Sequence, residues 1–109
     1  MKMQKAAYMR GIDKMVMKEI PVPEIGDNEV LVHLEYVGIC GSDVHYFHSG
    51  SCGAYKVDLE KDFMLGHECA GIVEKVGANV KSLKEGDKVA LEPGITCGKC
   101  EFCKSGHYN

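Results

Sequence analysis

Nowhere in the 109 residues does an apolar run approach the about 20 positions that a helix needs to cross a bilayer, so no membrane partner is expected. The opening Met1-Lys2-Met3-Gln4-Lys5 has no apolar core and no small-residue cleavage site behind it. It therefore does not read as a secretion signal, and the sequence predicts a cytoplasmic protein. A dense basic patch is also missing. Lys81, Lys84 and Lys88 are interleaved with Glu85 and Asp87, and the net charge is −3, which argues against nucleic acid as a partner. The chain has no Gly-x-Gly-x-x-Gly, and no alternating strand–helix pattern to carry one, so it offers no dinucleotide fingerprint of its own. Internal repeats and low-complexity segments are absent.

What remains is an ordinary globular composition, 45% hydrophobic and 27% charged, in a chain the size of one domain with room for a modest core. Six cysteines could suggest a disulfide scaffold. Three of them, Cys97, Cys100 and Cys103, have metal-like spacing, and reduced thiols in a cytoplasm fit better.

Residues 4–10 and 14–20 read as two strands around a tight turn at Gly11-Ile12-Asp13, with Met3, Met9, Met15 and Met17 as core filler. Pro21, Pro23 and Gly26 end the second strand. The longest strand runs from Glu29 to Val37, its alternation placing Val30, Val32, Leu34 and Tyr36 on one face. His33 falls on the other face as an ordinary exposed or hydrogen-bonded histidine and not a ligand. A short helix is expected over residues 43–48 and a surface loop bordering the pocket over 49–62, with Cys52 and His48 either lining that border or, the preferred reading, in solvent. Strands at 70–76 and 88–91 follow, separated by turns at Gly77-Ala78-Asn79 and Glu85-Gly86-Asp87, and Cys69 reads as a small buried residue. Short strands between glycine turns predict a mainly β protein, a small, partly open antiparallel barrel with short helices and a cysteine-rich lobe at its C-terminal end.

Chemistry concentrates between Gly38 and Ala70. Cysteine thiolate, imidazole and carboxylate are the side-chain donors that zinc accepts, and a catalytic zinc takes three of them and keeps one position open. Cys40, His67 and Glu68 would supply that set. Neighbours on a regular strand point to opposite faces, so His67 and Glu68 reach one ion only if Gly66 lets the backbone twist at a strand entrance. Asp43 is suited to hold the free ring nitrogen of a ligating histidine. Ser42 and His45, three apart, share a face of a helical turn. Taken singly, Cys40 also reads as a small buried hydrophobe, and Ser42 as a helix cap.

Together, the runs GICGSDVHYFHSG, FMLGHECAGIVEKVGANVKSLKEGDKVALEP and CGKCEFCKSGHYN make the chain resemble the zinc-dependent medium-chain alcohol dehydrogenases, within them the sorbitol (L-iditol 2-) and xylitol dehydrogenases. The resemblance covers about Lys5 to Asn109. It implies a GroES-like fold and catalytic zinc on Cys40, His67 and Glu68. It also implies a proton path through Ser42 and His45, and substrate contact at Tyr46. In the family a fourth cysteine follows a few residues beyond the matching trio. Cys97, Cys100 and Cys103 in residues 93–109 thus read as an incomplete structural-zinc lobe, with His107 as an alternative fourth ligand. Family members continue into a Rossmann domain that binds NAD. Residues 1–109 are accordingly expected to be the N-terminal catalytic domain of a longer, homo-oligomeric enzyme oxidising a small polyol, inactive alone. Alternatives are a threonine or simple alcohol dehydrogenase, a non-catalytic zinc-binding module, and a barrel serving only oligomerisation.

Overall fold

The computed structural model describes residues 2–107. In chain order the elements are β1 (Met3–Met9), β2 (Met15–Pro21), β3 (Val30–Gly38), α1 (Gly41–Ser49), β4 (Ser51–Cys52), β5 (Tyr55–Lys56), β6 (Glu68–Val76), β7 (Lys88–Ala90) and α2 (Glu101–Lys104). All strand pairings are antiparallel, in three groups: β1–β2, β3–β6–β7 and β4–β5. The mainly β, antiparallel architecture expected from the sequence is the one adopted.

The first hairpin pairs from Met3↔Pro21 to Met9↔Met15, with Asp13 at φ 55° in its turn. Met9 closes onto Phe63 through a reciprocal pair of backbone hydrogen bonds of 2.7 and 3.0 Å. Of the methionines expected as core, only Met9 is buried, whereas Met3, Met15 and Met17 are exposed. A two-stranded ladder gives them no opposing layer on their outer face. Asp62 ties the same hairpin to the segment before Phe63, accepting from Arg10 at 2.9 Å and pairing with Lys18.

β6 lies at the centre of the three-stranded sheet and carries Val73, one of the two largest fully buried side chains. Register shifts interrupt its pairing with β3 between Leu31 and Val32 and between Leu34 and Tyr36. These irregularities break the regular alternation expected for Val30, Val32, Leu34 and Tyr36. Val30 and Val32 are half-buried, while Leu34 and Tyr36 are exposed. His33 is exposed beside Glu35, as expected. The loop expected over 49–62 contains the β4–β5 hairpin, turning at Gly53 with φ 60°. The molecule measures 42 × 41 × 21 Å with a radius of gyration of 16.3 Å, against about 13 Å for a compact domain of this length.

Candidate metal centre

β3 and β6 deliver the centre from two directions. Gly38, the last residue of β3, pairs with Glu68, the first of β6. A Cβ at Gly38 would lie 3.2 Å from Glu68 Oε2, so the absent side chain leaves the carboxylate its place. Beyond Gly38, Cys40 has extended backbone angles and caps the N-terminus of α1. On the other side Gly66 adopts φ 104°, a conformation that L side chains rarely adopt, and His67 follows immediately before β6. As a result Cys40 Sγ, a ring nitrogen of His67 and a carboxylate oxygen of Glu68 all lie within 4.8 Å of one another. Cys40 and His67 are half-buried and Glu68 is exposed. A groove of about 470 Å³ lined by Tyr36, His67, Glu68, Leu91 and Pro93 opens beside the cluster.

Asp43, only 8% exposed, joins the two halves. Its Oδ2 accepts from the Cys40 backbone N–H at 3.1 Å and its Oδ1 from the Gly66 N–H at 3.3 Å. The same Oδ1 lies 3.4 Å from His67 Nδ1, which leaves Nε2 as the nitrogen available to a ligand. Electrostatics favour the ligating form of the thiol. Hydrogen bonds from the Ser42 hydroxyl and backbone, then from His67, lower the Cys40 pKa against burial and the nearby Glu68 charge. The contact with Cys40 raises the His67 pKa, and Asp43 adds to it while burial opposes.

Along α1, His45 Nδ1 lies 2.9 Å from Ser49 Oγ and 2.7 Å from the Ser51 carbonyl oxygen. Tyr46 faces Phe63 and Tyr55 with ring centroids 5.5 and 6.1 Å apart, and burial raises its hydroxyl pKa. Tyr55 and the Ser51 carbonyl were not singled out from the sequence. They lie in the glycine- and charge-rich stretch that reads as a loop, where the signal of two-residue strands is weak. Cys52 is half-buried instead of solvent-exposed, since it sits in the β4–β5 ladder, while exposed His48 pairs with the Asp13 carboxylate. Cys69 is half-buried rather than buried.

Cys97, Cys100 and Cys103 form the second cluster, their sulfurs likewise within 4.8 Å of one another. Cys103 Sγ is 3.5 Å from Cys100 Sγ and 3.8 Å from Cys97 Sγ. Backbone N–H groups of Lys99 and Cys100 point at Cys97 Sγ and, with the other two thiols, lower its pKa to about 7. His107 turns its Nδ1 to Ser105 Oγ at 3.0 Å and does not join the three sulfurs.

The model of the alcohol dehydrogenase GroES-like domain family matches residues 26–109. The chain is 52% identical over 105 residues to a sorbitol dehydrogenase of Bacillus subtilis, covering 96% of this chain and 29% of the relative. It is 53% identical over 102 residues to a probable D-xylulose reductase A of Arthroderma otae, covering 93% and 28%. Among solved structures, galactitol-1-phosphate dehydrogenase of Escherichia coli superposes with a TM-score of 0.82 at 31% identity, covering 96% of this chain and 29% of that one.

Proposed function

This chain belongs to the alcohol dehydrogenase GroES-like domain family, and from that premise we propose that it is the zinc-holding catalytic domain of a longer NAD-linked polyol dehydrogenase. The observation that carries the reading is the convergence of Cys40, His67 and Glu68 within 4.8 Å, braced by Asp43. Three donors of three kinds, one of them exposed, fit a catalytic zinc that keeps an open position. Such an ion would supply Lewis acidity to an alcohol oxygen.

The remaining work belongs to the chain. Cys40 acts as thiolate, and Asp43 holds His67 Nδ1–H so that the ring keeps its orientation. Ser42 and His45 carry the alcohol proton away from the site, and Tyr46, backed by Phe63 and Tyr55, bears on the substrate. Cys97, Cys100 and Cys103 hold a structural zinc whose fourth ligand lies outside the described residues.

The chain spans about 29% of the length of the curated relatives it matches. A Rossmann domain elsewhere in the longer protein would present the nicotinamide, and without it the 109 residues would not oxidise alcohols. NADH is bound to one structural neighbour and NADP to another. Sorbitol and xylitol are the favoured substrates, threonine and simple alcohols the alternatives. A reducing cytoplasm suits the six unpaired thiols.

Elemental analysis after purification without chelator is expected to find zinc, and Cys40→Ala with His67→Ala to remove it from the catalytic site. Zinc content unaffected by that double substitution would refute the site. Assays of the longer enzyme on sorbitol, xylitol, galactitol 1-phosphate, threonine and ethanol decide the substrate, and faster turnover of threonine or ethanol than of any polyol would refute that part.

A further inference from the structure

His45 makes both of its hydrogen bonds through one ring nitrogen, and the partners decide which nitrogen carries the proton. Nδ1 lies 2.7 Å from the Ser51 carbonyl oxygen, which can only accept. An unprotonated Nδ1 there would set lone pair against lone pair. The second neighbour, Ser49 Oγ at 2.9 Å, commits its own proton to carbonyls: His45 O at 2.7 Å, with Ser51 O at 3.1 Å. Its lone pairs are left to face the ring. Nδ1 is therefore the donor, shared between two acceptors. Among the described residues no hydrogen bond engages Nε2, and the side chain is exposed.

The arrangement depends on how α1 ends. Gly50 at φ 72° donates to the Tyr46 carbonyl at 2.8 Å and turns the chain back into β4, bringing the Ser51 carbonyl over His45. The left-handed φ of Gly50 is one that L side chains rarely adopt, so the turn is conformationally specified. The β4–β5 ladder and the bond from Val57 N–H to the Gly50 carbonyl, 2.8 Å, hold it from the far side.

We infer that Ser49 and the Ser51 carbonyl are positioning groups: they hold neutral His45 as its Nδ1–H tautomer and leave Nε2 as the accepting nitrogen on the proton path it shares with Ser42. The tautomer stands on the geometry; the catalytic half rests on the alcohol-oxidation reading above. In that path the substrate O–H bond breaks, the Ser42 hydroxyl takes its proton while passing its own to Nε2, and Nδ1 keeps its own. The resulting imidazolium then yields the Nε2 proton to solvent.

Long-range proton–nitrogen NMR correlation on the 109-residue chain at alkaline pH, with His45 assigned through His45→Gln, reads the tautomer directly. The expected pattern is a protonated Nδ1 and a bare Nε2; the reverse assignment, or the averaged pattern of free imidazole, overturns the inference. In the longer enzyme, Ser49→Ala is expected to lower kcat about tenfold, a fraction of the roughly 10²–10⁴ that positioned proton transfer contributes, with KM little changed. Ser49→Thr should restore it, and imidazole added at constant pH should rescue Ser49→Ala. Unchanged kcat, or a loss that imidazole leaves untouched, overturns the catalytic half. An unmodified enzyme inert toward all polyols overturns the substrate reading, while the NMR assignment still decides the tautomer.

Discussion

Asp43 serves three partners at once: the Cys40 N–H, the Gly66 N–H and the His67 ring. Replacing it with Asn keeps an acceptor oxygen but removes the charge that faces the imidazole. Asp43→Asn is therefore expected to weaken zinc binding at the Cys40 centre by about 10–100-fold, read by competition with a chromogenic chelator. A different residue-level test addresses the second cluster. Because backbone N–H groups hold the Cys97 pKa near 7, its alkylation by iodoacetamide in the zinc-free chain should rise through an inflection at about pH 7. Cysteine-by-cysteine mass spectrometry across pH checks this, and Cys97→Ser should remove the inflection.

Between elements, the decisive contact is the ladder that aligns Gly38 with Glu68. In its middle, a Cβ at Gly71 would fall 2.2 Å from the His33 carbonyl oxygen, so β3 and β6 could not keep their spacing. Gly71→Ala should cost about 1–3 kcal/mol in urea unfolding. The spread of the ladder should also lower zinc affinity at the centre. Much of this level was legible beforehand. Glycine and proline punctuation located the strands, and the need for His67 and Glu68 to face one point placed Gly66 at a strand entrance. The register shifts in β3 were not legible, since they depend on how the chain meets its partner strand. The β4–β5 hairpin was missed for a related reason: two-residue strands have almost no periodicity, and this one is held by contacts to α1 from His45 and Gly50. Which methionines are buried likewise follows from what lies opposite them, and hydrophobicity alone does not report that.

Across the whole molecule, the first hairpin is attached by the Met9–Phe63 bridge and by the Asp62 clasp with Arg10 and Lys18. Hydrogen bonds from Lys18 and then Arg10 hold the Asp62 pKa below the ordinary aspartate range. A depressed carboxyl pKa contributes stability above the unfolded value and loses it as pH falls through the folded one. Asp62→Asn should thus lower the thermal midpoint at neutral pH, and the gap from the parent chain should close on acidification below the ordinary aspartate range. Paired melting curves across that range test the sign, and a gap that widens in acid would contradict it.

The pairing of Gly38 with Glu68 also sets an order of events during folding. Cys40 and His67 are remote in sequence and meet only after β3 and β6 have zipped in the correct register. A one-residue slip would turn the Glu68 side chain to the opposite face. An ion held by all three of these ligands is accordingly a reporter of correct strand pairing. Cys97, Cys100 and Cys103 come from one short run of chain, so a metal can gather them before any sheet exists. The two clusters would then load in sequence, the local one first. Metal supplied during refolding would meet an unfolded chain already able to compete for it, while the centre built on two strands waits for the fold.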